Sequence, residues 1–406
     1  MIFYYLLMIF LSFSMEDTQV LPKGVRSFMF KQGLVGNIAN RFGNDTSLYS
    51  LDSRLSKNFD AEEILNFHAR APELVETLNQ AVPYSMGKNI QLGELRFGGE
   101  AQVTYSAPVL AYGITNNWTL GFAVPFAKLD ADISVQSGGN NNLEEIYNGL
   151  AEKGNLNAEL DAAYQRLRNI DLRQAFYDYL SNKSYKSLEA DDSWQLGDIQ
   201  IVSKYRYFDK PKYSLLNKVT ITLPTGAEDD PNQLLDIPIF HRRSIEISQV
   251  QDYRIDKKNT IGSSIGYQWN MADRIAKRVP LNEDDHLPNL DRLEDVNRDI
   301  GDVVKWEINY RTAWTDAIST GVSYLGEKKA KDTYSGNRAY NYSLLSSNTD
   351  ANVHKFELLA AYSSVNSYLK KKATIPFGVS YRYSNLFAGA NVERQLAHEL
   401  TLMVFF

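Results

Sequence analysis

Apolar and polar residues alternate in one segment of the chain after another. Ile199, Ile201, Tyr205 and Tyr207 share one parity, opposite Gln200, Lys204 and Arg206. Val304, Trp306, Ile308 and Tyr310 oppose Lys305, Glu307, Asn309 and Arg311. Phe356, Leu358, Ala360 and Tyr362 oppose Lys355 and Glu357, and Ile375, Phe377, Val379, Tyr381 and Tyr383 oppose Lys372, Thr374, Ser380 and Arg382. Side chains two apart lie on one face of a strand, so this period predicts half-buried strands.

The connections alternate as well. Short ones fall at 115–117, 209–212, 256–259, 315–316 and 365–370; long ones fall at roughly 37–93, 136–194, 225–239, 270–300 and 329–351. A soluble sandwich has no reason to keep every second connection short, whereas a membrane barrel has short periplasmic turns and long outer loops. The expected fold class is therefore all-β, an antiparallel transmembrane β-barrel of about twelve strands with helical insertions in its extracellular loops. The strands are placed at roughly 24–36, 95–113, 118–135, 196–208, 213–224, 241–255, 259–270, 301–314, 317–327, 352–364, 372–384 and 396–406. A hairpin within 385–395 or 41–50 would make fourteen.

Two long loops change period. Leu156, Leu160, Ala163, Tyr164 and Leu167 form a helical stripe that Phe176, Tyr179 and Leu180 extend, which predicts a helical insertion over 143–180. Ile64, Leu65, Phe67, Ala71, Leu74, Val75 and Leu78 predict a second over 59–80, interrupted by Pro72. These helices either cap the outer mouth or stand as solvated excursions. At the start, the apolar run Ile2–Leu11 followed by Ser12-Phe13-Ser14 reads as a secretory signal at 1–14, leaving 15–406 as the barrel. At the other end Leu396, Leu400, Leu402, Val404 and Phe406 share a face of a strand that stops at the last residue. That ending resembles the C-terminal signature of bacterial outer-membrane barrels, which implies the barrel assembly machinery as a partner through Phe406.

Composition narrows the classes. Twenty-five Tyr beside nineteen Phe and five Trp suit a membrane–water interface. The net charge of −6 argues against a nucleic-acid partner. The absence of cysteine removes disulfides, thiolate zinc sites and a cysteine nucleophile. No apolar run in the body approaches the roughly 18 residues of a membrane helix, a limit that leaves a barrel untouched.

Charge then fixes which face points inward. A Lys or Arg facing lipid near the midplane costs about 2–4 kcal/mol, and a few of them would rival the stability of a typical fold. The polar parity must line the lumen. The candidate lumen residues are Glu100, Lys204, Arg206, Lys218, Glu246, Arg254, Lys305, Glu307, Arg311, Lys355, Glu357 and Arg382, with Asp252, Lys372 and Glu399 on the same parity. Their mixed signs predict either ion pairs that brace a narrow lumen or a polar conduction path. About twelve strands leave a lumen partly filled by side chains, which disfavours a wide porin.

Catalytic and metal chemistry find little footing. Asp295, Asn297, Asp299 and Asp302 approach calcium-loop spacing, but Gly301 falls one place late and Trp306 stands where a bidentate Glu is needed. No metal and no cofactor is expected. His68, His241, His286, His354 and His398 make no hydrolase motif, and no G-x-S-x-G, P-loop or H-E-x-x-H is present. A dispersed hydrolase triad is the remaining enzymatic alternative.

Some stretches carry more than a pattern. They are 112–126, from Tyr112-Gly113 through Asn116-Asn117-Trp118 to Pro125-Phe126; Leu196-Gly197-Asp198-Ile199 with Tyr205; Leu223-Pro224-Thr225-Gly226 with Asp229-Asp230-Pro231; and Leu21-Pro22-Lys23-Gly24. Together they resemble the outer-membrane barrel family named after the phenol-degradation meta-pathway, related in general shape to long-chain fatty-acid transporters. The resemblance covers about 60% of the chain, outside the helical insertions. The chain departs from it at Leu234–Phe240, where the family is glycine-rich. The resemblance implies uptake of small hydrophobic or aromatic solutes across the outer membrane of a Gram-negative bacterium, with outer-membrane lipid and lipopolysaccharide as surroundings and no enzymatic activity. The alternative is a barrel without transport, acting as surface adhesin, receptor or scaffold.

Overall fold

The computed structural model describes residues 15–50, 57–60 and 91–406, except 153, 155, 187, 189–192, 235–240 and 284. The 1–14 signal reading and almost all of the 59–80 helix reading lie outside these residues. Among the described residues twelve antiparallel strands close into a barrel. They are β1 (Arg26–Ile38), β2 (Gln91–Thr115), β3 (Trp118–Ala123), β4 (Ile199–Asp209), β5 (Tyr213–Leu223), β6 (Ser244–Arg254), β7 (Asn259–Asn270), β8 (Val303–Ala313), β9 (Ile318–Lys329), β10 (Ala351–Ser363), β11 (Phe377–Ala390) and β12 (Leu396–Phe405).

Neighbours in sequence are neighbours in the sheet, and β1 closes the cylinder by pairing with both β12 and β2. The last residue completes the seam: Arg26 N–H donates to the Phe406 carbonyl at 2.8 Å and Phe406 N–H to the Arg26 carbonyl at 2.9 Å. Closure leaves no sheet edge to hydrogen-bond with solvent or lipid.

The two parities behave as opposite environments. Ile247, Ile265 and Ile308 on the outer face are 60%, 61% and 59% exposed, and Phe28, Leu110, Phe122, Ile221, Leu358 and Leu400 join them. An apolar belt of this extent fits hydrocarbon, since water tolerates contiguous apolar patches of only a few hundred Å². Aromatic rings rim it. Trp118, Tyr205, Tyr207, Tyr310, Trp314 and Tyr381 lie exposed near the short turns, and Tyr267 and Trp269 near the opposite end.

Several boundaries differ from the sequence reading. β11 begins at Phe377 rather than 372, because Val365–Leu369 forms a short helix in the turn and Phe377 N–H donates to the Ser364 hydroxyl at 2.8 Å. The 41–50 and 385–395 regions add no barrel strand; Asn40–Phe42, Leu48–Ser50 and Val392–Glu393 form a separate three-stranded sheet. Hence the barrel has twelve strands and not fourteen. β3 breaks at Val124-Pro125, where proline cannot donate to the ladder, and resumes as Phe126–Asn141. This continuation pairs with β2 above the rest of the wall.

The inner face of that ribbon carries helices. α1 (Leu143–Glu152), α2 (Ala158–Arg168) and α3 (Leu172–Asn182) replace the single long stripe. Two side chains stop it: Asn157 caps α2 through Leu160 N–H, and Asp171 caps α3 through Arg173 and Gln174 N–H. Leu160, Tyr164, Leu167, Phe176 and Leu180 bury against Leu95, Phe97 and Val135 of the ribbon. The helices are therefore anchored to the barrel wall and are not free excursions.

Candidate functional site

A stretch preceding β1 runs through the barrel. Gly24 N–H donates to the Gly113 carbonyl at 2.8 Å and Lys23 N–H to Asn116 Oδ1 at 3.0 Å, which fixes the chain at a periplasmic turn. From there it runs inward: Leu21 N–H donates to Thr119 Oγ1 at 2.7 Å. Thr18 is 1% exposed, and its N–H and hydroxyl both donate to Asp252 Oδ2, at 3.0 and 2.7 Å. Asp17 pairs with Lys204 at 3.1 Å and Arg311 at 3.5 Å. Glu16 pairs with Lys218, while its N–H donates to Glu307 Oε1 at 3.2 Å. Met15 is buried against Gly321, where a β-carbon would collide with its sulfur.

The lumen wall answers with side chains of both signs. Glu246 accepts from Lys305 at 2.7 Å, and Lys305 also donates to Gln268 at 2.8 Å. Lys218 bridges Glu246 and Glu16, Arg311 pairs with Asp252, and Asn309 Nδ2 donates to Glu307 at 2.8 Å. Across the barrel, Arg382 reaches Glu399 at 2.9 Å and Glu357 at 3.4 Å. Lys355 pairs with Glu357 at 3.0 Å, Lys31 with Glu399 at 3.7 Å, and the Tyr105 hydroxyl donates to Glu399 at 2.6 Å. All six of these groups are nearly inaccessible. Gly33 makes the last contact possible, because the Tyr105 ring occupies the space a β-carbon would need.

Nine of the twelve candidate lumen residues thus meet inside the barrel: Lys204, Lys218, Glu246, Lys305, Glu307, Arg311, Lys355, Glu357 and Arg382. Two sit at the rim. Arg206 donates to the Asn116 carbonyl at 3.2 Å, and Arg254 to the Lys210 carbonyl at 2.7 Å and Asp209 at 3.1 Å. Glu100 is misplaced by the parity argument. It is exposed on the outer parity of β2, with Leu110 and Tyr112, since the buried residues there are Ala101, Val103, Tyr105 and Ala107. That part of β2 rises above the apolar belt, where an outward charge meets water at little cost. Lys372 lies exposed in the turn before β11 and not in the lumen. Sequence reasoning missed Glu16, Asp17, Thr18, Lys31 and Tyr105. Only the run Glu16-Asp17-Thr18 could have signalled a polar segment after an apolar one.

The motif residues prove structural. Asp198, 4% exposed, accepts from Gly226 N–H at 2.9 Å and from His241 and Arg242 N–H at 2.8 Å each, closing both ends of the loop after β5. Thr225 ties the same loop to β4 through Ile199 N–H at 2.9 Å. The Asp295–Asp299 oxygens lie along an extended strand, Leu293–Asp299, so their spacing does not close around an ion.

Above the lumen, the loops border a partly open cavity of about 760 Å³ whose lining mixes Phe97, Phe176, Leu188, Leu234 and Leu287 with charged side chains of both signs, among them Arg41, Lys277, Asp229, Glu283 and Asp350. Arg278 holds its floor together, donating to the Lys183 carbonyl at 2.7 Å and Asn232 Oδ1 at 2.6 Å and stacking 3.9 Å over the Tyr185 ring. The Tyr185 hydroxyl donates to the Pro288 carbonyl at 2.8 Å, and its burial pushes the phenol up to about 12 against the pull of Arg278. In the lumen, by contrast, the void beside Tyr105, Glu357 and Arg382 is about 10 Å³.

No protein-family model matches the chain, and no curated protein matches it. Solved structures do. An outer membrane channel from Pseudomonas putida F1 aligns over 97% of this chain and 100% of its own with a TM-score of 0.57, at 10% identity. A monoaromatic hydrocarbon channel, CymD, aligns over 95% of this chain and 89% of its own at 7% identity, with a TM-score of only 0.34. A FadL homologue from Pseudomonas aeruginosa covers 95% and 90% at 8% identity, with a TM-score of 0.35. The first establishes a shared fold, that of an outer-membrane channel.

Proposed function

We propose that this protein is a passive channel in the outer membrane of a Gram-negative bacterium, admitting small hydrophobic or aromatic molecules. The phenol-degradation meta-pathway family is the kin we propose for it. The observation that carries the reading is the cavity of about 760 Å³ at the outer mouth of a charge-braced lumen, where phenylalanine and leucine side chains stand among charged groups of both signs. That size suits a small ligand, and the phenylalanine and leucine side chains offer it an apolar surface between the charged groups. The solute gradient drives entry, the helices α1–α3 shape the mouth, and the segment from Met15 to Leu21 is the barrier below. It is held by charge-assisted hydrogen bonds worth about 1.5–3 kcal/mol each, enough in sum to keep the path shut at rest.

Liposome permeation tests this. The combined variant Glu16→Gln, Asp17→Asn, Thr18→Ala is expected to raise conductance in planar bilayers and solute flux into vesicles at least severalfold. Unchanged flux in both the parent and the variant would contradict the channel reading. A second reading, a barrel without transport that serves as surface adhesin, receptor or scaffold, draws support from the nearly absent void beside Tyr105 and Arg382.

A further inference from the structure

The short turns carry an uneven charge. Within 22–26, 115–117, 209–212, 255–258, 314–317 and 364–376 there are nine basic residues and three acidic ones, Asp209, Asp256 and Asp316, although the whole chain is negative by six. Lys210, Lys212, Lys257, Lys258, Lys371 and Lys372 are all exposed. They occupy the β4–β5, β6–β7 and β10–β11 turns, and Lys23 and Arg26 stand at the β1 start. By the strand order these positions are spread around the circumference of the cylinder. Exposed rings accompany them: Trp118, Phe208, Tyr253, Trp314, Tyr362 and Tyr381.

We propose that this rim is a binding ring for anionic phospholipid headgroups of the periplasmic leaflet. Three features favour that occupant. The lysines lie just beyond the aromatic girdle, at the depth of lipid phosphates. A basic group near an anionic membrane surface is attracted to it, a gain that salt screens. The ring surrounds the barrel, as annular lipid does, whereas a globular acidic partner would need one contiguous patch. The proposal rests on membrane residence and adds a lipid preference to it.

The native tryptophans supply the test. Trp118 and Trp314 lie at the basic rim, and Trp269 lies at the opposite girdle. Full-length protein keeping only Trp118 and Trp314, and a second keeping only Trp269, are folded into phosphatidylcholine vesicles containing brominated phosphatidylglycerol or brominated phosphatidylcholine. Quenching gives the relative binding constant of the two lipids. The expected ratio is severalfold in favour of phosphatidylglycerol at Trp118 and Trp314, falling toward one in high salt. At Trp269 it is near one. Replacing the six named lysines with glutamine should bring the rim ratio to about one, with heat-modifiable gel migration confirming that the barrel still folds. A rim ratio near one in the unsubstituted protein overturns the proposal, as does a preference the glutamine variant retains. An acidic protein partner would also leave the ratio at one. Failure to insert into any vesicle would instead overturn membrane residence itself.

Discussion

Arg382 stands between two buried carboxylates, Glu357 and Glu399, and neither it nor they see water. Removing one partner of such a pair leaves an uncompensated charge, which costs more than the pair itself contributes. Arg382→Met is therefore expected to destabilise the folded barrel by about 3–5 kcal/mol, read as a shift of the urea unfolding midpoint in vesicles. Arg254 offers the contrast. It is half-buried at the rim and bonds mainly to turn carbonyls, so Arg254→Met should cost about 1 kcal/mol or less by the same measurement. Equal losses at the two positions would mean that burial does not set the energetics of these charges.

At the level of elements, the period of two was legible from residues alone. Strands β4 to β10 begin and end within a few residues of the positions their alternation predicts, because lipid on one side and charge on the other leave no freedom of register. Three features were not legible. Glu100 broke the parity rule because the rule's penalty applies only within hydrocarbon. The lumen segment was invisible because its partners, Lys218, Asp252 and Arg311, lie roughly 200 or more residues away. The loop helices read as one stripe because their stops are single capping side chains. One such cap is Asp171; Asp171→Ala should lose about 1 kcal/mol of local stability and speed amide exchange at Arg173 and Gln174. The cavity floor should also respond to pH. Tyr185 ionises near 12 in the folded loops and near 10 when exposed, so its contribution is intact below about pH 10 and is lost as pH rises toward 12. Tyr185→Phe should flatten that loss, as followed by proteolysis at 183–186 across the range.

The whole molecule is a cylinder with its solvents exchanged. Apolar side chains that a soluble protein would bury face outward, and the ionised groups it would expose are paired inside around a segment of its own chain. The proposed channel function, the proposed barrier in the lumen and the proposed lipid-binding rim all depend on that inversion. The chain has no cysteine, so single cysteines can be introduced and spin-labelled without background. The most direct measurement places labels one at a time from Val304 to Arg311 in vesicle-folded protein and compares collision with oxygen and with a water-soluble nickel chelate. Oxygen accessibility should peak at Val304, Trp306, Ile308 and Tyr310 and fall at Lys305, Glu307, Asn309 and Arg311. A profile without a two-residue period, or one with its maxima at the charged positions, would contradict the account.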